Sequence, residues 1–335
     1  MALRILWPQH YWWGDTAPEL DGLGAGIEPV FARRFAEVTG EQWRSCDGIV
    51  GPTIPLEYMD QLDRCRIFVK PGVGYDDVDI GALGALGIPA CNTPDYGTRE
   101  VADHALALML TLSKAIAFHD ENLRADPKAN WRPALNPYGQ RLADQTFGVV
   151  GLGRIGAAAA LRAKAFDMDV VFHDPYQPSG VEFALGVRRA DSLAELMAQS
   201  DIVSVHAPLT EETRNLIGAD ALAAAKPGMI LVNTARGPIV DIDALFDAMK
   251  NDVVLAAGLD VLPEEPANQD KPLIRAWRDG EAWLRHRLVI TPHSAFCTPQ
   301  SMRDIRAFSA RTAARYLRDG RLENCVNAAF LKMRR

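Results

Sequence analysis

Residues 146–156 read Thr146-Phe-Gly-Val-Val-Gly-Leu-Gly-Arg-Ile-Gly156, followed by an alanine-rich stretch to Phe166 and by Val170-Val-Phe-His-Asp174. Phe147–Val150 is a short apolar run of the kind found in strands buried on both faces. Gly151, Gly153 and Gly156 form Gly-x-Gly-x-x-Gly where that run gives way to a helix over Ala157–Phe166. Asp174 closes the next strand eighteen residues beyond Gly156, close to the ~20 expected of a dinucleotide site. One glycine permits the tight turn, one lets backbone approach a pyrophosphate, and one lets helix and strand pack closely. The helix N-terminus then offers free N–H groups and the positive end of its dipole to phosphate. A carboxylate at position 174 accepts hydrogen bonds from a ribose 2′-hydroxyl and repels a 2′-phosphate, which favours NAD over NADP.

Outward from this unit, the bulk properties narrow the possibilities. A chain of 335 residues is too long for one ordinary core and points to two domains. Hydrophobic residues make up 48% and charged residues 24%, as in soluble globular proteins. The net charge of −7 argues against non-specific nucleic-acid binding, which needs a basic surface. Cys46, Cys65, Cys91, Cys297 and Cys325 are odd in number and scattered without a Cys-x-x-Cys spacing. Neither a disulfide framework nor a metal site is expected, and a reducing cytoplasm fits. The N-terminal Met-Ala-Leu-Arg-Ile-Leu-Trp reads as a first strand rather than a signal peptide. No apolar run approaches the ~20 residues that cross a membrane.

Strand and helix patterns alternate along the whole chain. Leu3–Trp7, Gly48–Val50, Ile67–Val69 and Ile88–Cys91 read as strands, with a helical stretch near Leu56–Leu62, and residues 1–97 form a small α/β domain. His10-Tyr11-Trp12-Trp13 follows the C-terminal end of the first strand, where open α/β sheets bind ligands, so these rings are either a wall beside a substrate or loop packing. Gly22–Gly26 reads as a turn. Gly81, Gly84 and Gly87 recur at a spacing that makes one close-packed helix face. Glu100–Lys114 is a helix apolar nearly all round, which suits burial at a domain or subunit interface. Residues 126–140 read as an exposed excursion. Beyond Asp174, strands at Ile202–His206, Met229–Asn233, Leu255–Val261 and Leu288–Ile290 alternate with helices, and Pro299–Leu317 is a long helix. The fold class is α/β, a doubly wound parallel sheet with its polar residues gathered after strand C-termini.

Three of those residues suit one chemistry. Reducing a 2-oxo acid requires a cation to hold the carboxylate and polarise the carbonyl, and Arg236 offers a planar fork for it. It requires a proton donor for the carbonyl oxygen, a role that suits His293. It also requires a carboxylate to orient the imidazole, and Glu265 qualifies.

Gly151–Gly156 with Asp174, His206-Ala-Pro-Leu-Thr210, Asn233-Thr-Ala-Arg-Gly237, Gly258-Leu-Asp-Val261 with Glu265-Pro266, and Thr291-Pro-His293 resemble, in order, the signature segments of the D-isomer-specific 2-hydroxyacid dehydrogenases. The resemblance implies NAD as cofactor, Arg236 as the substrate-binding arginine, His293 as acid/base and Glu265 as its partner. It implies Asp260 on the nicotinamide carboxamide, and a cofactor site completed by Arg154, Ile155, His206, Pro208, Thr213, Thr234 and Ala235. Gly72-Val-Gly-Tyr-Asp-Asp-Val-Asp79 is similar to the family's substrate loop, with the N–H groups of Val73 and Gly74 on the carboxylate.

The resemblance further implies two doubly wound domains, a flavodoxin-like substrate domain of residues 1–97 and 298–335 and a Rossmann NAD-binding domain of residues 98–297. Closure of the cleft between them would assemble the active site. It implies a homodimer as well, with Glu100–Lys114 at its interface and Trp131 in the excursion that reaches the partner subunit in some members. Periodicity alone shows none of this. The chain departs from the family pattern in the long charged segment 268–287 and in Ser294-Ala-Phe-Cys297 after the histidine. Lys70 is similar to a basic residue of the C-terminal binding protein corepressors, whose dehydrogenase-like domain the chain also resembles. A dinucleotide-sensing scaffold is therefore the alternative to a glyoxylate- or hydroxypyruvate-reducing enzyme. Val73 stands where phosphite dehydrogenases carry lysine, which disfavours phosphite.

Overall fold

The computed structural model describes residues 2–10, 15–133 and 139–331. Contacts divide it into two units, Met1–Gly97 with Cys297–Arg335, and Thr98–Phe296. The chain thus returns to the first unit at Cys297, one residue before the expected point.

The first unit holds a parallel sheet of β1 (Leu3–Trp7), β2 (Ile27–Phe31), β3 (Gly48–Val50), β4 (Phe68–Val69) and β5 (Ala90–Cys91) in the order β2-β1-β3-β4-β5. That is the doubly wound order of flavodoxin-like domains. One sheet face is covered by the helix Pro299–Asp319, whose Ala310, Ala313, Ala314 and Leu317 pack with Ile5, Val50, Ile67 and Val69. The opposite face carries Trp43, Ile49, Phe68 and Leu83. The strand β2 has no counterpart in the sequence reading, because Pro29 and Glu28 interrupt its apolar pattern. Gly22 belongs to the helix Ala17–Leu23, so the turn begins only at Gly24, where φ is 64°. Gly84 packs against Phe330, whereas Gly87 stands outside the helix Ile80–Ala85 at a φ of 67°.

The second unit holds seven parallel strands: β6 (Thr146–Val150), β7 (Asp169–His173), β8 (Arg188–Arg189), β9 (Ile202–Val205), β10 (Met229–Asn233), β11 (Val254–Leu259) and β12 (Leu288–Ile290). Their order, β12-β11-β10-β9-β6-β7-β8, reverses between β6 and β9. Ligands of open α/β sheets bind beyond the strand C-termini at such a switch point. Both faces are apolar, one built on Val203, Leu231, Leu245 and Ala257, the other on Phe147, Val149, Ala160 and Phe172 with Leu108 and Met109 of the helix Thr98–Ser113.

A second helix, Ile116–Ala125, precedes the excursion. The charged segment 268–287 is not a plain linker. It forms the helix Pro272–Arg278 and ends at Arg287, whose buried guanidinium donates to the carbonyls of Met249 and Leu255 and to Asp252. Trp131 is 77% exposed. Tyr11, Trp12 and Trp13 lie outside the described residues, while His10 is buried against Glu19.

Candidate active site

At the end of β6, Gly151 adopts a φ of 90°, and a Cβ there would lie 2.7 Å from the amide nitrogen of Ala207 at the end of β9. Only glycine allows the two strand ends to meet at the switch point. A Cβ on Gly156 would lie 2.1 Å from the Gly151 carbonyl, so that glycine lets the helix Arg154–Lys164 start directly over the turn. Gly153, the N-cap, has open space on its Cβ side and no side-chain cap, which leaves the helix amides outward. Arg154 and Ile155 form the first turn of that helix.

Asp174 ends β7 with its carboxylate accepting from the amides of Leu152 (2.8 Å) and Tyr176 (3.0 Å). It is therefore held against the glycine turn. Two enclosed polar atoms, His206 Nδ1 and Thr234 Oγ1, have no partner. Buried polar groups are nearly always paired, so both fit a polar ligand lying across β6, β9 and β10. His206 Nε2 lies 2.8 Å from Ser204 Oγ, and burial pushes the imidazole down to about 4, keeping it neutral. Thr213 turns inward to its own loop, donating to the Pro208 carbonyl at 2.6 Å and accepting from Thr210 N, so it shapes the His206–Thr213 segment. Ala235 N donates to Asn233 Oδ1. The glycine cradle, the carboxylate at the end of β7 and the two orphaned atoms together suit a dinucleotide.

Arg236, Glu265 and His293 follow three adjacent strands, β10, β11 and β12. His293 Nδ1 lies 2.7 Å from Glu265 Oε2. A carboxylate only accepts, so Nδ1 carries the proton and Nε2 is left to exchange one with a ligand. Glu265 Oε1 accepts from Leu262 N at 3.0 Å. Burial raises the Glu265 carboxyl, but the bonds from His293 and Leu262 and the charges of His293 and Arg236 outweigh it, and the group titrates below the usual carboxylate range. The two side chains keep 41% and 39% of their surface.

Asp260, only 1% exposed, does not present its carboxylate as an open ligand. It accepts from Thr291 Oγ1 (2.6 Å), Ser294 N (2.9 Å) and Ala295 N (2.9 Å), while its carbonyl accepts from His293 N (2.8 Å). His293 sits at a φ of 51°, a left-handed conformation rare outside glycine, and this clasp holds it there. His104 joins the cluster with Nε2 3.0 Å from Thr291 Oγ1. The sequence reading missed it; its only signal is a lone imidazole at the start of the apolar part of that helix.

In the first unit, the 72–74 loop is fixed through its carbonyls. Gly72 O accepts from Thr93 N (2.8 Å), Val73 O from Asn92 Nδ2 (2.7 Å) and Lys70 O from Thr93 Oγ1 (3.0 Å). Lys70 Nζ is itself engaged by Asp77 (2.5 Å) and by the Pro52 carbonyl (2.7 Å). The Val73 and Gly74 amides donate to nothing among the described residues.

A parallel doubly wound sheet with a glycine cradle at its switch point and an imidazole–carboxylate pair two strands away defines a dinucleotide-dependent dehydrogenase. Residues 106–295 match the NAD binding domain of the D-isomer specific 2-hydroxyacid dehydrogenases. A glyoxylate reductase of Korarchaeum cryptofilum is 34% identical over 300 residues, 88% of this chain and 86% of that protein. A D-3-phosphoglycerate dehydrogenase of Methanocaldococcus jannaschii is 33% identical over 83% of this chain, which spans 50% of that longer protein. The solved structure of an NADPH-dependent glyoxylate/hydroxypyruvate reductase from Sinorhizobium meliloti, in complex with NADP and malonate, superposes with a TM-score of 0.83 at 29% identity over 100% of both chains. The chain belongs to the D-isomer specific 2-hydroxyacid dehydrogenase family, and it is an oxidoreductase that uses NAD.

Proposed function

We propose that the protein reduces a small 2-oxo acid of the glyoxylate or hydroxypyruvate type to its D-2-hydroxy acid. The observation that carries this is the 2.7 Å His293–Glu265 pair, with Arg236 close enough to lower the Glu265 carboxyl. When bound, the dinucleotide supplies hydride. His293 Nε2 holds the proton that goes to the substrate oxygen, and Glu265 keeps Nδ1 protonated and stabilises the imidazolium before transfer. Arg236 binds the substrate carboxylate and stabilises negative charge on the oxygen as it develops. In the first unit, the carbonyl bonds from Asn92 and Thr93 keep the 72–74 loop in shape.

The test is NADH oxidation with a panel of 2-oxo acids. Wild type is expected to turn over glyoxylate or hydroxypyruvate. His293→Gln and Arg236→Gln are expected to lose about 10²–10⁴ in kcat, the share of a positioned acid or charge stabiliser, with NADH affinity kept. Near wild-type rates in either variant would remove that residue from the mechanism.

The protein is further proposed to be a cytoplasmic homodimer. All five cysteines are free thiols, three of them buried, as suits a reducing compartment. Ile116 and Trp131, 56% and 77% exposed, give a second copy apolar surface to cover. Sedimentation at a range of concentrations checks the dimer.

A further inference from the structure

Thr291 has one hydroxyl proton, and the 2.6 Å contact with Asp260 Oδ1 uses it, because a carboxylate accepts only. Thr291 Oγ1 is then the acceptor in its 3.0 Å contact with His104, so His104 Nε2 carries a proton. The bonds run in one direction, from the His104 N–H to the Thr291 hydroxyl to the Asp260 carboxylate. That carboxylate is 1% exposed, and no arginine or lysine bonds to it among the described residues; His104 Nε2 lies 3.7 Å from it. Asp260 in turn grips the chain on both sides of His293, at Thr291 before it and at Ser294 and Ala295 after it, and also accepts from the His293 amide.

His104 is placed for this by the helix Thr98–Ser113. Leu108, one turn further on the same face, packs so closely over β11 that a Cβ on Gly258 would lie 2.9 Å from its own Cβ. The helix is thereby seated two residues from Asp260 in the chain. The cluster also ties the two places where the chain passes between units. His104 lies shortly after the passage at Gly97–Thr98, and Ala295 shortly before the one at Phe296–Cys297.

We infer that His104 is a positioning residue for the reaction: through Thr291 and Asp260 it holds the left-handed His293 segment in the geometry that presents Nε2 to substrate. The inference rests on His293 being the proton donor, and the experiment separates the two. His104→Leu removes the donor, whereas His104→Gln places an amide N–H near the position of Nε2. His104→Leu should lower kcat about tenfold, a part of the ~10²–10⁴ that a positioned proton donor supplies, with KM for the 2-oxo acid and Kd for NADH within twofold of wild type. His104→Gln should regain most of the rate. In a His293→Gln background, His104→Leu should cost nothing more, since a residue acting through His293 has nothing left to position.

Wild-type kcat in His104→Leu alongside a collapse in His293→Gln overturns the inference and leaves the mechanism standing. Retained activity in His293→Gln overturns both. Equal losses in the Leu and Gln variants, or an undiminished further loss in the His293→Gln background, also overturn it. If His104→Leu does not fold, Thr291→Val breaks the same chain of bonds one step later. It is expected to show the same kcat loss, and a wild-type kcat there is the overturning result.

Discussion

We propose that Asp174 selects between the two dinucleotides. Its carboxylate is pinned against the glycine turn by Leu152 N and Tyr176 N, so it cannot swing away from a 2′-phosphate. NADH is therefore expected to support a higher kcat/KM than NADPH, even though the similar Sinorhizobium meliloti enzyme is NADPH-dependent. Asp174→Ser should narrow the gap by tenfold or more, each factor of ten corresponding to about 1.4 kcal/mol, as read from kcat/KM with the two cofactors. His206 has a different consequence. Its folded imidazole titrates near 4 instead of 6.5, so between those values the unfolded chain binds a proton that the native protein refuses. Stability contributed by neutral His206 is complete above pH 6.5 and is lost as pH falls towards 4, by ~3 kcal/mol at about 1.4 kcal/mol per unit. Urea unfolding of the cofactor-free protein should be flatter over that range in His206→Gln than in wild type.

Arg236, Glu265 and His293 were legible because each is a polar residue in the loop that follows an apolar strand. The partnerless atoms of His206 and Thr234 were not, since orphaning depends on what the rest of the fold leaves uncovered. His104 was hidden for the same reason: its partner Thr291 lies on the far side of the unit's sequence, and helical spacing carries no trace of it.

At the scale of elements, the loops after β10 and β11 are locked to each other. A Cβ on Gly237 would lie 1.9 Å from the Leu262 backbone, directly between Arg236 and the Leu262–Glu265 turn. Gly237→Ala must push these loops apart. It should reduce kcat by 10²-fold or so, the scale on which a displacement of about 1 Å acts, while NADH affinity changes little; parallel assays of turnover and cofactor fluorescence check it. The apolar runs marked the central strands of both sheets, because a strand buried on both faces has no room for polar residues. Two of the four edge strands were another matter. Ile27–Phe31 contains proline, and Arg188–Arg189 is two arginines, held by Asp169 and by stacking of Arg189 on Phe172 rather than by burial. Neither has a pattern that periodicity can detect.

For the whole molecule, the interleaving of the two units came from family resemblance and not from any local signal, since nothing in residues 1–97 announces that their cover arrives some two hundred residues later. One buried network shows how far the first unit depends on that late segment. Arg306 in the helix Pro299–Asp319 donates from Nε and one terminal nitrogen to Glu19, at 2.7 Å each, and His10 completes the cluster at 2.9 Å. Glu19 is 1% exposed. Arg306→Ala would strand that carboxylate and is expected to cost about 3–5 kcal/mol. Glu19→Gln combined with Arg306→Met should recover much of the loss, as judged by urea unfolding.

The same helix has a bearing on how the protein is made. A ribosome adding ~5–20 residues per second needs about 10–40 s to get from the first five strands to the helix that covers them. Throughout that interval Ile5, Val50, Ile67 and Val69 lack the cover that Ala310, Ala313, Ala314 and Leu317 supply. The intervening unit, by contrast, has both sheet faces supplied from within Thr98–Phe296 and can close as soon as it emerges. The first sheet thus receives its full cover last, and the order of completion runs from the middle of the chain outward.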